Sequence, residues 1–447
     1  MDIDSRILAI QKVITENKGA GSKKITYKGE NTLRLAYDID VEALIFNQYN
    51  GRIGTFVQTH EKLHGEKIDA TTVEGEDLIV NFLWKSDEKA NLITKADIED
   101  IGQQEVGIIT KDGVVIDGNR RCMLLKTIAK EKHSTPTYFR AVVLDDKLSD
   151  NPKEIRKLET SYQLGVDKPQ SYKPIEKYLK CKELFYTDDF TLEEIASMMG
   201  EKDKKNKPDP KKIQTYLNIL ALMERFLKTY GYDGIYTYLS KNEQEGPFVD
   251  LEGYLERYKA KNGNIKGRDW TPDTADINDL ELIYFDYIRA GYGTHKIRCI
   301  GNTASKTSFF NTRGVWDDFF QRYEENVEPI NNQEKSFTEL RSERPDEDPE
   351  SLIKSRDSDW KASESPNGKK LSDNLSQNLG LSQTALAEAI EEEGPLFYLT
   401  RATLALGRID MENSAFEGQF VEAKIKDIND FTWEFKKALK EKSKNNE

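Results

Sequence analysis

The stretch GVVIDGNRRCMLLKTI, residues 113–128, decides how the first third of this chain reads. Three β-branched residues in a row, an Asp-Gly turn and then an amphipathic run predict a strand that passes directly into a helix at about residue 119. At such a junction the first-turn N–H groups lack intrahelical partners, and the helix dipole leaves partial positive charge there. Gly118 lets backbone approach a ligand closely. Two arginines in the first turn are unfavourable for the helix itself, by about 0.3–1 kcal/mol each, and so ask for a compensating anion. Their planar, permanently charged forks suit phosphate oxygens, and the bland alternative is that Asp117 or another carboxylate answers them.

Outward from this point the pattern is mixed. Residues 24–39 predict a strand, a bend at Gly-Glu-Asn and a second strand, and 45–53 (IFNQYNGRI) a further short element. A helix stopping at Gly102, a strand, a hairpin at Lys111-Asp112-Gly113 and the strand–helix unit follow, and 137–146 (TYFRAVVLDD) is a last strand. Beyond residue 150 the apolar residues recur near a 3.6 period. The expected fold class is therefore a small α+β domain followed by mostly α-helical domains. Its boundaries read as an N-terminal helix (1–23), a mixed domain (24–150), a helical domain (151–230), a further helical module (231–327), a polar linker (328–378) and a C-terminal helical segment (379–447). The linker assignment rests on charge and scarcity of aliphatics.

The 447 residues carry a net charge of −13, which argues against coating nucleic acid by bulk attraction, so any DNA contact must be local. KDKKNKPDPKK (202–212), with six lysines against two aspartates, is the place for it. The amphipathic first twenty residues do not read as a signal peptide, and no apolar run approaches bilayer length. Cys122, Cys181 and Cys299 are isolated, with no neighbours at metal spacing. A cytoplasmic protein with no membrane partner is expected.

GQQEVGIITKDGVVIDGNRRCMLL (102–125) resembles the hairpin, glycine, double arginine and helix of the ParB/sulfiredoxin superfamily, in its ParB-type layout of a nucleotide-binding domain followed by a helix-turn-helix domain. The resemblance spans residues 30–230. It implies a nucleoside triphosphate held by Gly118, Asn119, Arg120 and Arg121, with Arg52 from the 45–53 segment as a further contact. A second family box is similar to 158–178, where Glu159 occupies the position of the Mg²⁺-contacting carboxylate. Thr160 stands at that box's asparagine position and no arginine closes it, so the base stays open among CTP, ATP and GTP. Asp117 and Glu159 are the carboxylates expected to orient a water for slow hydrolysis. FTLEEIASMMG followed by PKKIQTYLNILALMERFL resembles the family's helix-turn-helix, with a turn lengthened to about nine residues. It assigns Ile195, Ala196, Met199, Ile213, Tyr216, Leu217 and Leu220 to the core, and Lys204, Lys205, Lys207, Lys211, Lys212, Gln214, Thr215 and Asn218 to DNA.

The leading expectation is a nucleotide-switched DNA-binding protein of DNA partition, mobile-element or phage-defence systems. A ParB-like nuclease using Asp117, Glu105 and Glu159, or another NTP-dependent enzyme, is the first alternative; sulfiredoxin chemistry is disfavoured because Cys122 follows the arginines. A docking platform whose C-terminal helices bind a partner protein is the second, and a homodimer is a further expectation. DYIRAGYGTHKIRCIGN (286–302) reads either as a ligand-facing loop or, with more weight, as a helix end stopped by Gly291 and Gly293.

Overall fold

The computed structural model describes the chain except residues 17–18, 133–136, 166–171, 243–244, 261–264, 266–267, 304–307, 390–394, 410, 412–415, 417–418 and 445–447. The mixed part contains α1 (Ile3–Glu16), β1 (Gly21–Tyr27), β2 (Glu30–Asp40), β3 (Ile45–Phe46), α2 (Gly54–His64), α3 (Val73–Ser86), α4 (Glu88–Ile101), β4 (Gly107–Ile109), β5 (Val114–Asp117), α5 (Asn119–Lys132) and β6 (Tyr138–Val143). The six strands form one mixed sheet in the order β1-β2-β6-β4-β5-β3. The β3–β5 and β4–β6 pairs are parallel and the others antiparallel.

Local chemistry explains the joints. The β1–β2 hairpin turns on Lys28 and Gly29, both at positive φ (53° and 77°), as a two-residue turn requires, one step before the Gly-Glu-Asn bend expected from sequence. β5 is apolar on both faces because both are covered. Val115 packs with Cys122, Met123 and Leu124 of α5 and Ile79 and Leu83 of α3, whereas Val114 and Ile116 face Ile155 and Leu158 of the next helix. α1 belongs to the first of these layers through Ile10 rather than standing apart. Gly107 sits where a Cβ would lie 2.3 Å from Cζ of the buried Phe139 and 2.8 Å from the Asp117 carbonyl oxygen. Gly107→Ala should therefore destabilise the fold by about 1–3 kcal/mol, measured as a shift in the urea midpoint at unchanged slope.

The helical part continues with α6 (Pro152–Leu164), α7 (Pro174–Tyr186), α8 (Leu192–Met199) and α9 (Pro210–Thr229). A Thr191–Glu194 capping box opens α8 and Gly200 at φ 67° ends it. Ile195, Ala196, Met199, Ile213 and Leu217 form a small core with Cys181, Leu184 and Phe190, and Tyr216 packs at its edge. Then come α10 (Thr237–Asn242), α11 (Glu245–Lys259), α12 (Thr274–Arg289), α13 (Thr294–Gly301), α14 (Arg313–Asn326), α15 (Glu328–Asn331), α16 (Phe337–Glu343), α17 (Pro349–Ala362), α18 (Leu371–Ala389), α19 (Pro395–Gly407) and α20 (Gln419–Lys444).

Two expected boundaries are corrected here. Residue 230 divides nothing, because Leu220, Met223, Phe226 and Leu227 of α9 share one core with α11, α12, α14, α17 and α18. Residues 328–378 are not a linker: they form α15, α16, α17 and the start of α18, and they bury Leu352, Ile353, Trp360, Leu371 and Leu375. Their few apolar residues are turned to the core, and two of their charges, Arg356 and Asp357, are buried with them. Asp357 pairs with Arg289 at 2.8 Å, and Arg356 with Glu334 at 3.0 Å. Average composition hides both. The C-terminal segment is helical, as expected.

Mixed domain and helical body meet along α2. Thr55 bonds Glu176 of α7, Thr59 accepts from the Thr237 N–H, and Lys62 pairs with Asp233 at 2.6 Å.

Candidate anion site at the domain junction

The β5–α5 joint is locked by Asn119, whose Oδ1 accepts the Asn47 N–H (3.0 Å) while its Nδ2 donates to the Val115 carbonyl (2.8 Å). Gly118 has φ 100°, and a Cβ there would stand 2.8 Å from Phe139 and 3.0 Å from the Arg121 guanidinium. Both residues thus serve the turn itself. Consecutive helical side chains point about 100° apart, and the two arginines take separate directions. Arg121 folds back on Asp117 (3.6 Å), which also pairs with Lys23 (2.8 Å), so a carboxylate faces this arginine, although its Nε, like Nη1 of Arg120, is buried without a hydrogen-bond partner.

Arg120 enters a cavity of about 240 Å³ lined by Arg52, Asp87, Tyr172, Lys173, Glu176 and Ser240 among others. It is 9% exposed. Its Nη2 lies 3.4 Å from Asp87, and its Nη1 is buried with no hydrogen-bond partner. Burial first and Arg52 second push its pKa down, against the opposing pull of Asp87. Arg52 reaches the same space with its guanidinium 4.8 Å from the centre of the Tyr172 ring, a cation–π contact that leaves its N–H edge available. Lys173 Nζ stands at the rim, 3.3 Å from the Ser240 carbonyl and hydroxyl oxygens. Two like charges facing one another with an unsatisfied buried donor make an arrangement that an anion relieves.

Glu176 closes the floor. Its carboxyl accepts the Thr55 hydroxyl (2.5 Å) and N–H (3.1 Å) at the start of α2, and burial raises its pKa to about 7 despite these bonds and Lys173. The raised value means that the folded protein holds this proton. Its stabilising contribution is complete below the ordinary carboxylate pKa near 4.5 and is lost as pH rises through about 7. An anion in the cavity meets a neutral neighbour below pH 7 and a charged one above it. Sulfate, whose own charge is constant there, should bind about three- to tenfold more weakly at pH 8 than at pH 6, and Glu176→Gln should flatten that difference in calorimetric titrations.

Of the residues expected at a phosphate site, Arg52 and Arg120 converge, Gly118 and Asn119 shape the approach, and Arg121 and Asp117 lie outside the cavity lining. Glu159 is fully buried, accepts from Asn47 (2.8 Å), Gln163 (3.1 Å) and Arg156 (3.3 Å), and forms an ion pair with Lys180 (3.5 Å). Thr160 beside it is also buried. No group of three or more His, Cys, Asp or Glu side chains among the described residues could hold a metal ion. Tyr172, Lys173, Glu176, Asp87 and Ser240 carry no sequence signal, since only folding brings α7, the α3–α4 junction and α10 to α5.

Gln163 connects this site to the interior. Its Oε1 accepts the Tyr172 hydroxyl (3.0 Å) and the Gly51 N–H (3.3 Å), and its Nε2 donates to Glu159.

Between α8 and α9, the long turn is an ordered hairpin: Lys202 bridges to Pro208, and Asp203 Oδ1 accepts the N–H groups of Lys205 and Lys207. Lys204, Lys205 and Lys207 project outward, and Lys211, Lys212, Gln214 and Thr215 are exposed on the first turns of α9. Asp209 caps those turns. Lys212 is paired with Glu201, Thr215 donates to the Lys211 carbonyl, and Gln214 donates to Asn218. Asn218 donates in turn to Glu252 of α11 (3.0 Å). α11 thus flanks α9 from this point, which limits the free face to its N-terminal end.

No protein-family model matches the sequence, and neither curated proteins nor solved structures give a significant match.

Proposed function

We propose that this is a ParB-like, nucleotide-switched DNA-binding protein in which the phosphates of a nucleoside triphosphate (CTP, ATP or GTP) bind between Arg52 and Arg120. The observation that carries the reading is the unpartnered Nη1 of Arg120 facing a second guanidinium. Phosphate oxygens supply the missing acceptor and cancel the repulsion. The cavity's volume suits phosphate groups, with the nucleoside extending beyond it. The described residues offer no carboxylate cluster for Mg²⁺, so the ion is brought on the phosphates themselves. Lys173, released from Ser240, is the cation from the helical body that a bound phosphate recruits, which ties occupancy to the angle between mixed domain and body. Glu176, rather than Asp117 or Glu159, is the carboxylate placed to influence a slow hydrolysis.

The lysine hairpin and the N-terminal turns of α9 are the DNA face, where phosphate contacts position and Gln214 and Thr215 reach base edges. Replacing Lys204, Lys205 and Lys207 together by alanine should weaken DNA binding uniformly across sequences. It should also lower the slope of log affinity against log salt by about one per lost contact, read by fluorescence anisotropy at several salt concentrations. Calorimetry with CTP, ATP and GTP plus Mg²⁺, with and without duplex DNA, tests the whole reading: one triphosphate should bind, more tightly with DNA present. If none binds under any of these conditions, the switch is lost. DNA partition and phage defence are the settings such a switch fits.

A second reading has one observation in its favour. Phe420, Phe431, Trp433 and Leu439 are exposed on α20, so a docking role for the C-terminal helices, through a partner protein or a second copy, stands beside the first.

A further inference from the structure

The helical body contains a second cavity, of about 1060 Å³, large enough for a nucleotide-sized molecule. One wall is a polar stripe on α17, Ser351, Lys354, Ser358 and Lys361, repeating at intervals of three and four residues. Neither lysine has an ion-pair or hydrogen-bond partner among the described residues. The carboxylates beside them are already committed, since Asp348 accepts the Ser351 N–H and hydroxyl and Asp357 takes Arg289 and the Tyr232 and Tyr238 hydroxyls. Opposite the stripe is the start of α13, whose N-cap Gly293 supplies no side-chain cap. Lys361 Nζ lies 3.9 Å from where a Cβ on Gly291 would stand, which brings this ammonium against the loop leading into α13. The third feature is Thr237, 2% exposed, lining the cavity with its hydroxyl unpartnered.

Two ammonium groups outside ion-pair distance of the carboxylates Asp348, Glu350 and Asp357 that share the lining, an uncapped helix start with Thr294 in its first turn and a buried hydroxyl without a partner together suit an anionic ligand with hydrogen-bonding groups. We infer that this cavity binds a phosphorylated small molecule. Its phosphate sits between Lys354, Lys361 and the first turn of α13, and its remainder reaches past Tyr292 toward Thr237. The loop 290–294, read from sequence as the end of a helix, then carries the phosphate-facing turn. The site shares no lining residue with the Arg52–Arg120 cavity, although the two flank the same short helix: Thr237 lines one and Ser240 the other.

The test uses the full-length chain carrying Arg52→Ala and Arg120→Ala, which silences the first site, titrated calorimetrically with adenosine 5′-monophosphate, inorganic pyrophosphate and adenosine. The monophosphate and pyrophosphate should bind and compete with one another, and adenosine should not. Adding Lys354→Ala and Lys361→Ala should weaken both at least about tenfold, and Thr237→Val should weaken the monophosphate. Absence of binding in the arginine-replaced chain, lysine variants within about twofold of it, or adenosine binding as well as its monophosphate, would each overturn the inference. If the arginine variant melts early, the wild type serves instead: the lysine pair should then remove one binding equivalent, and an unchanged stoichiometry rejects the site. Failure here leaves the first cavity untouched, and loss of triphosphate binding there leaves this one untouched.

Discussion

If the proposed site holds a triphosphate, Arg120→Ala should lower its affinity by roughly 10- to 100-fold, the loss expected when a charge-assisted hydrogen bond worth about 1.5–3 kcal/mol is removed from a buried site. The geometry makes the effect specific to one of two neighbours. Arg120 Nη1 is buried and unpartnered, and Arg52 approaches it from α2's side of the cavity. Arg121 lies outside the cavity lining, paired with Asp117, and its replacement should change affinity by less than about threefold while costing no more than the ~0–1 kcal/mol of a partly exposed ion pair. Arg52→Ala should resemble Arg120→Ala, and the double variant should fall short of the summed losses because both act on one anion. Calorimetry gives the affinities, and thermal melts confirm that all variants fold. Equal losses from Arg120 and Arg121 would contradict the separation of the two side chains.

Glu159→Ala should destabilise the protein by about 3–5 kcal/mol, the cost of leaving buried cations without their counter-charge. Lys180 is 2% exposed and Arg156 is 9% exposed, and both lean on this carboxylate. Glu183 and Asp188 share the arginine, and Glu183 also takes Lys180 at 3.0 Å, so the network weakens without vanishing. Glu159→Gln, which keeps acceptors for Asn47 and Gln163, should cost less. Urea denaturation followed by circular dichroism measures both. The Mg²⁺-contacting role implied by family resemblance makes the opposite demand: near-normal stability with a lost metal dependence of nucleotide binding. Acid adds a check. Burial pushes Glu183 upward, but Lys180 and Arg156 outweigh it and hold its pKa below 4.5, so its contribution is present above that value and is lost as pH falls through the depressed one. Acid unfolding of the Glu159→Ala protein should begin at higher pH than in wild type.

The opening stretch was legible because all its signals agree. Val114, Val115 and Ile116 form β5, Gly118 is the turn, and the helix starts at Asn119. What the local pattern could not supply was the direction of each arginine. Arg120 meets Arg52 and Tyr172, 68 residues before it and 52 after it, and no periodicity encodes that meeting. Residues 328–378 failed for a different reason. Composition sees charge there, whereas the fold uses Arg356 and Asp357 as internal pairs and Trp360, 1% exposed, as an anchor. Asn218 looked free until α11 arrived with Glu252. Long-range packing decided all three.

α9 begins beside the lysine hairpin, with Lys211 in its first turn, and ends inside the main core at Phe226 and Leu227. With twenty residues it is a shaft about 30 Å long, held by the small core at Ile213 and Leu217 and by the main core from Leu220 onward, with only the outer side of its first turns presented. The hairpin end therefore has no hinge of its own. Whatever turns the helical body against the mixed domain also sweeps the lysine hairpin, and a rotation of about 5° over that length moves it by about 2.6 Å, enough to break a phosphate contact. On the proposed function, a small closure around an anion at one joint would become a change of grip at the far end.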